Sequence, residues 1–323
     1  DRAIHIIGNI SPDYQPILSL AIHGLGINII AFFLILNQPT FFLKIIEIGG
    51  GLQVNSRIML IRPFWEIDFR FNDMVKAKDE NSYIVAEVWT DRETYAKYLE
   101  SGIDSVFNFD FGDGDGIIAN AVKGSSESGA KGYANVCGKM DELLSQYNEN
   151  YIDAPFYTNH DMARGAGYYS GEYKAAQIKT AGAMNLMMSG NVFLYYGEEI
   201  GMNSSGTKDE NKRIPMVWSK TDTTGMTKGP ADMDAGIESP FPAEDEQEKD
   251  KDSILSYYKN ALRLRNQNPE IARGTIEKVE SLCKDSQAAI TKTYQDSTIG
   301  IVYNLGEGNG KTTIYRYREE NST

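Results

Sequence analysis

From Trp65 onward the chain alternates short apolar runs with amphipathic helical stretches, and two of the apolar runs end on an acid. The two are Tyr83-Ile-Val-Ala-Glu87-Val-Trp89 and Phe156-Tyr-Thr-Asn159-His160-Asp161. Strands separated by helical segments pair in parallel through crossover helices. In a barrel of parallel strands the functional side chains gather at the carboxyl ends of several strands, which is where Glu87 and Asp161 fall. The pattern predicts a helix over 71–77, a strand over 82–88, a helix over 91–101 opened by an acid, and a strand over 105–111. Helices over 139–146 and 173–189 and a strand over 191–196 follow. A polar stretch over 203–251 reads as a long surface loop. The amphipathic helix 253–267 is stopped by Asn268-Pro269. Four short strands, 274–279, 288–294, 299–304 and 312–317, then predict a small β domain.

A chain of 323 residues with 41% hydrophobic residues can bury a full core and has room for a large domain and a smaller one. Its 45 acids against 32 bases, a net charge of −13, argue against nucleic-acid binding, which needs a concentrated basic face. Cys137 and Cys283 lie far apart in sequence, so neither a disulfide framework nor a cysteine metal site is expected. The apolar run 29–36, followed by 41–48, is shorter than the roughly 20 residues a bilayer span needs and reads as a buried strand and helix. At Asp1 there is no basic head followed by an apolar stretch, so no secretory leader is read there. His160 has no metal-ligand spacing with His5 or His23. The run Asp110-Phe-Gly-Asp113-Gly-Asp115-Gly116 resembles a calcium loop, but the twelfth position counted from Asp113 is Gly124 rather than the required Glu. A turn with exposed acids is expected there.

Three motifs in order, Ala86-Glu87-Val-Trp-Thr-Asp, Thr158-Asn-His-Asp161 and Phe193-Leu-Tyr-Tyr-Gly-Glu-Glu-Ile-Gly201, resemble the fifth, seventh and eighth strand ends of the α-amylase family of glycoside hydrolases. The resemblance runs from about Phe64 into the last fifty residues. It implies a (β/α)8 TIM barrel, incomplete in recognisable form on its N-terminal side, over 1–270, and a shortened all-β domain over 271–323. It implies retaining hydrolysis of α-glucosidic bonds in starch-like glucans or maltooligosaccharides by a monomeric, extracellular enzyme, with calcium as the family's cofactor although no ligands are identifiable here. By the same resemblance Glu87 is the proton donor and Asp161 the transition-state stabiliser. Arg57, Trp89, Asn159 and His160 are substrate-binding residues. The segment 209–218 resembles one that the family places near its sugar subsites. Independently, a carboxyl at the mouth of an apolar strand beside Trp89 would have its acid form favoured by desolvation.

One departure from the family is sharp. Its nucleophile is an Asp in a Gly-Phe-Arg-x-Asp pattern at the end of the fourth strand. Here Val54-Asn-Ser-Arg57-Ile-Met59 puts an arginine in the expected place and a methionine where the nucleophile belongs. A thioether cannot form the glycosyl intermediate. Asp73 lies only 14 residues before Glu87, too few for a crossover of at least ~10–12 residues and a strand. Asp68 and Asp73 therefore read as part of a crossover helix over 66–76. A fragment or pseudoenzyme, a truncated gene product and a misread stretch over 1–60 all remain open. Little turnover is expected of the chain as written. The alternatives are a non-catalytic carbohydrate-binding protein on the same barrel, or an α-glucosidase or oligo-1,6-glucosidase.

Overall fold

A computed structural model describes residues 71–124, 129–204, 206–284, 286–305 and 311–317, together with the backbone of short strands at 5–6, 23–24, 27–34 and 45–46. Arg57, Met59 and Asp68 lie outside the described residues. The chain divides into two compact units, 1–107 with 143–154, and 108–142 with 155–323.

In the first unit, strand β1 (His5–Ile6) pairs antiparallel with β4 (Ile45–Ile46). The expected helix over 41–48 is thus replaced at 45–46 by a strand, as suits two β-branched residues in an apolar run. Strand β2 (His23–Gly24) pairs antiparallel with β3 (Ile27–Leu34). β3 lies parallel to β5 (Tyr83–Val88) over six residue pairs, from Ile29↔Tyr83 to Leu34↔Val88, including Phe33↔Glu87. β5 in turn pairs in parallel with the start of β6 (Ser105–Asn108). Helix α1 (71–76) precedes β5, so Asp73 is on a crossover helix as the spacing requires. Its Lys76 ammonium donates to Asp104 Oδ1 at 2.8 Å and Oδ2 at 2.9 Å. Asp104 Oδ2 also accepts the Ile84 N–H at 2.7 Å, so one carboxylate ties the helix to β5. Helix α2 (Arg92–Lys97) is capped by Asp91, whose Oδ1 accepts the Thr94 N–H at 2.9 Å. The helical turn continues as a 3₁₀ segment, Tyr98–Ser101, that ends at Gly102 with φ 83°.

The second unit departs from the sequence pattern in several places. The strand expected over 105–111 stops at Asn108, and Phe109–Phe111 forms a 3₁₀ turn closed by the Gly112 N–H on Phe109 O. Helix α3 (Ile117–Lys123) follows, and then α4 (Ala130–Tyr147), which begins nine residues before the expected start at 139. Gly132 and Gly138 weaken the helical signal, but Ala130, Tyr133, Ala134, Cys137, Met140 and Leu144 form one buried face at helical spacing. The strand expected over 191–196 is reduced to one parallel bridge, Phe156↔Phe193, beside the two-residue strand β7 (Ala154–Pro155). Phe193 N–H donates to Pro155 O at 2.9 Å. Pro155 has no N–H with which to extend the ladder.

Helix α5 (Lys174–Leu186) packs on α8 (Ile254–Gln267). Between them, 203–251 is not a bare loop. It contains α6 (Asp209–Lys212) and α7 (Glu244–Gln247), and Ile214 and Met216 pack with Ile200, Met202 and Leu255 in a buried cluster. Gln247, inside this segment, donates to Ile200 O and Pro242 O, both at 2.8 Å, and accepts the Leu255 N–H at 3.1 Å. Helix α9 (Pro269–Arg273) starts at the proline that ends α8, with Pro in the first turn where its missing N–H costs nothing.

The carboxyl-terminal strands form an antiparallel sheet in sequence order: β8 (Thr275–Lys278), β9 (Gln287–Tyr294), β10 (Ser297–Asn304) and β11 (Lys311–Tyr317). Ile299, Ile301 and Tyr303 on β10 are buried in alternation, as one covered face demands, and on β9 Ala288, Ala289, Ile290 and Lys292 are buried. Lys292 is satisfied inside by Ser189 Oγ at 2.9 Å and Ile271 O at 2.7 Å. Among the described residues no helix is long and apolar enough to cross a membrane.

Candidate active site

Glu87 is the fifth residue of β5 and is 8% exposed; the ladder to β3 fixes it at the carboxyl end of that strand. Trp89, one residue beyond the strand, is 57% exposed. Both belong to the first unit, and Asn159, His160 and Asp161 belong to the second.

The second group is drawn together by hydrogen bonds rather than by a ladder. Asn159 Oδ1 accepts the Asp161 N–H at 2.9 Å, an Asx turn that reverses the chain just after the Phe156 bridge. No α-helix starts at Asp161, so its carboxylate is not a helix cap; the next element is a 3₁₀ turn, Gly165–Tyr168. Its Oδ1 instead receives Arg213 Nη2 at 2.7 Å, and its Oδ2 lies 3.3 Å from His160 Nε2. Arg213 Nε also donates to His160 O at 3.2 Å. Lys212 Nζ donates to Asp161 O at 2.8 Å and to Asp209 Oδ1 at 2.9 Å. Residues 209–213 thus close on the turn from one side. Burial holds the His160 imidazole below its usual range, as does the nearby Arg213 cation, while the Asp161 carboxylate opposes them. The imidazole is consequently neutral at pH 7.

Below the turn lies a second set of groups. Arg164, 1% exposed, places its guanidinium 4.7 Å from the Tyr195 ring centroid and 4.5 Å from that of Tyr196. It donates to Tyr196 O at 2.5 Å and to Lys212 O at 3.0 Å. The two tyrosine hydroxyls reach the same segment, Tyr195 to Lys212 O at 3.2 Å and Tyr196 to Ile214 O at 2.7 Å. The Asp113 loop is a turn in which Asp113 has φ 73° and its carboxylate accepts the Gly114 N–H at 2.6 Å. Asp113 N–H donates to Tyr157 O at 3.0 Å, which binds the loop to the strand end.

The motifs single out Asn159, His160 and Asp161, which the structure brings together in one turn, but not Arg213, Lys212, Asp209 or Arg164. A signal for Arg213 is present in the sequence: it lies in the 209–218 segment that resembles one near the family's sugar subsites, and its adjacent lysine and arginine are basic groups in an acidic chain. Arg164 carried no such signal, because its partners are 32 and 48 residues away.

The βα repeats, the acids at two strand ends and the antiparallel sheet beyond define a (β/α)8-barrel protein with a C-terminal all-β domain. The profile described as "Alpha amylase, catalytic domain" matches residues 63–274, and the chain belongs to that family. It is 31% identical to alpha-amylase 3 of Dictyoglomus thermophilum over 240 residues, which is 73% of this chain and 45% of that protein. It is 28% identical to the alpha-amylase SusG of Bacteroides thetaiotaomicron over 241 residues, 72% of this chain and 33% of that one. Among solved structures, Eubacterium rectale Amy13B superposes with a TM-score of 0.72 at 41% identity, over 75% of this chain and 47% of that one. The chain therefore spans about half the length, or less, of these relatives.

Proposed function

We propose that the chain carries much of the active face of a retaining hydrolase for α-glucosidic bonds in starch-like glucans or maltooligosaccharides. Glu87 is the general acid and Asp161 the transition-state stabiliser. The observation that carries this reading is the Asp161 carboxylate, held by Arg213 at 2.7 Å beside a neutral His160 in the segment that matches the family profile. A fixed carboxylate can hold a distorted sugar ring as positive charge develops. Glu87 is assigned proton donation by its place in the motif that resembles the family's fifth strand end, where it is 8% exposed. Asn159, His160, Trp89 and Arg57 are assigned to sugar contacts. Retention needs a second carboxylate about 5–5.5 Å from the acid, and Met59 at the expected position cannot serve, so we expect little turnover. A monomeric, exported protein completes the reading. Calcium is carried over from the family resemblance alone; among the described residues no group of three or more His, Cys, Asp or Glu could hold it, and no step of the reaction is routed through it.

The test is reducing-end release from maltooligosaccharides by the whole chain. Glu87→Gln and Asp161→Asn should each lower any measurable rate by about 10² or more. A rate indifferent to Glu87→Gln would end the assignment. Met59 favours a second reading, a non-catalytic carbohydrate-binding protein on the same barrel; glucan binding by calorimetry without sugar release supports it. Preference for isomaltose over maltotriose would instead support an oligo-1,6-glucosidase.

A further inference from the structure

Directly behind the Asn159-His160-Asp161 turn lies a buried carboxyl that the reading above does not use. Glu198 Oε1 accepts the Thr158 N–H at 3.0 Å and also the Thr158 hydroxyl, and Thr158 is the residue that leads into Asn159. Two bonds from one residue to one oxygen fix direction as well as position. Chain geometry places the carboxyl there: Gly197 adopts φ 87°, and the 3₁₀ turn Glu198–Ile200 follows. A Cβ at Gly197 would lie 2.5 Å from Met202 Sδ and 2.8 Å from Arg164 Nη1, so the left-handed glycine is required twice over.

The charged and titratable groups facing Glu198 are Arg164, Glu199, Tyr168 and Tyr258. Burial, reinforced by Glu199, pushes the Glu198 carboxyl up to about 8, against the Thr158 bonds and the Arg164 charge. It is accordingly neutral at pH 7, and neutral glutamine is a close replacement.

We propose that Glu198 is a positioning residue, which by accepting both the N–H and the hydroxyl of Thr158 sets the Asn159-His160-Asp161 turn against the arginine and lysine of 212–213. The proposal deepens the hydrolase reading, which uses the same turn, yet its hydrogen bonds do not depend on the substrate.

The readout is the NMR titration of the His160 ring in the whole chain, assigned by the signal lost in His160→Gln. This midpoint reports the local turn, whereas a merely structural carboxyl would change the melting temperature alone. Glu198→Gln should leave the His160 midpoint within fitting error of the unsubstituted chain. Glu198→Leu and Thr158→Val should move it upward, toward the ordinary imidazole range, as the turn loosens and the ring gains water. The proposal is overturned if Glu198→Leu or Thr158→Val folds and leaves the midpoint in place, or if Glu198→Gln moves it as far as Glu198→Leu. Should Glu198→Leu fail to fold, Thr158→Val decides, since it replaces the hydroxyl by a methyl of similar size and leaves the backbone N–H bond to Glu198 in place. Maltoheptaose calorimetry on the unsubstituted chain separates the two ideas. Absence of binding with the expected titrations defeats the hydrolase reading alone, and binding with unmoved midpoints defeats the positioning role alone.

Discussion

The two strand ends that carry the candidate acids Glu87 and Asp161 are built in opposite ways. Glu87 sits on a six-residue strand whose parallel ladder to its neighbour sets its position pair by pair. Asp161 follows a strand of only two residues and one bridge. It is placed by side chains instead: Glu198 on Thr158, Asn159 on the Asp161 amide, and Arg213 and Lys212 on Asp161 itself. A ladder distributes position over many equivalent backbone bonds and tolerates the loss of a side chain. A clamp concentrates it in a few groups, and each is then critical.

That contrast should show most strongly at Gly197. Gly197→Ala meets both a left-handed φ and two close side-chain atoms, and we expect a loss on the order of 3 kcal/mol, read by urea unfolding. A change below about 0.5 kcal/mol would mean that the platform beneath the turn yields easily, and the contrast would be blunted.

Next is the ladder. Val85, fully buried in mid-strand, should cost roughly 2 kcal/mol as Val85→Ala. The amides of 84–88 should nonetheless keep their hydrogen-exchange protection at neutral pH. Selective loss of that protection would show the strand to be as dependent on single side chains as the turn.

Smallest in stability but sharpest locally is Arg213→Ala. The Arg213 side chain is about one-third exposed, so screening by water keeps its contribution to folding small. Its cation helps hold His160 low, and the Asp161 carboxylate pulls the other way. Without Arg213 the carboxylate acts unopposed by that cation, and the NMR midpoint of His160 should rise. An unchanged or lower midpoint would remove Arg213 from the clamp.

The same contrast explains what could be read from the chain. β5, the capped helix after it, α8 and the four closing strands follow local periodicity, and each was expected within a few residues of where it lies. Periodicity is a short-range signal. The 191–196 run has the apolar content of a strand but lacks a full ladder, because its partner carries Pro155. The 130–147 helix was half hidden by two glycines whose cost the buried face offsets. At the site, the residues within the motifs were legible from type and order. Glu198 was visible as part of a motif but not as the support of Thr158, 40 residues earlier. Arg164 was silent, since nothing near it in sequence announces the two tyrosines that enclose it. Long-range side-chain partners leave no spacing rule to read.

The buried Lys292 has a consequence for synthesis. It reaches from the carboxyl-terminal sheet to Ser189 and Ile271 O, and Arg265 donates to Leu186 O, Met188 O and Gly190 O around the same bend. Ser189 precedes Lys292 by 103 residues. At about 5–20 residues per second, a ribosome releases the bend several seconds before the group that finishes it. During that interval Arg265 is the earlier of the two ties to emerge, so the tie from α8 becomes available to this bend before the one from the sheet.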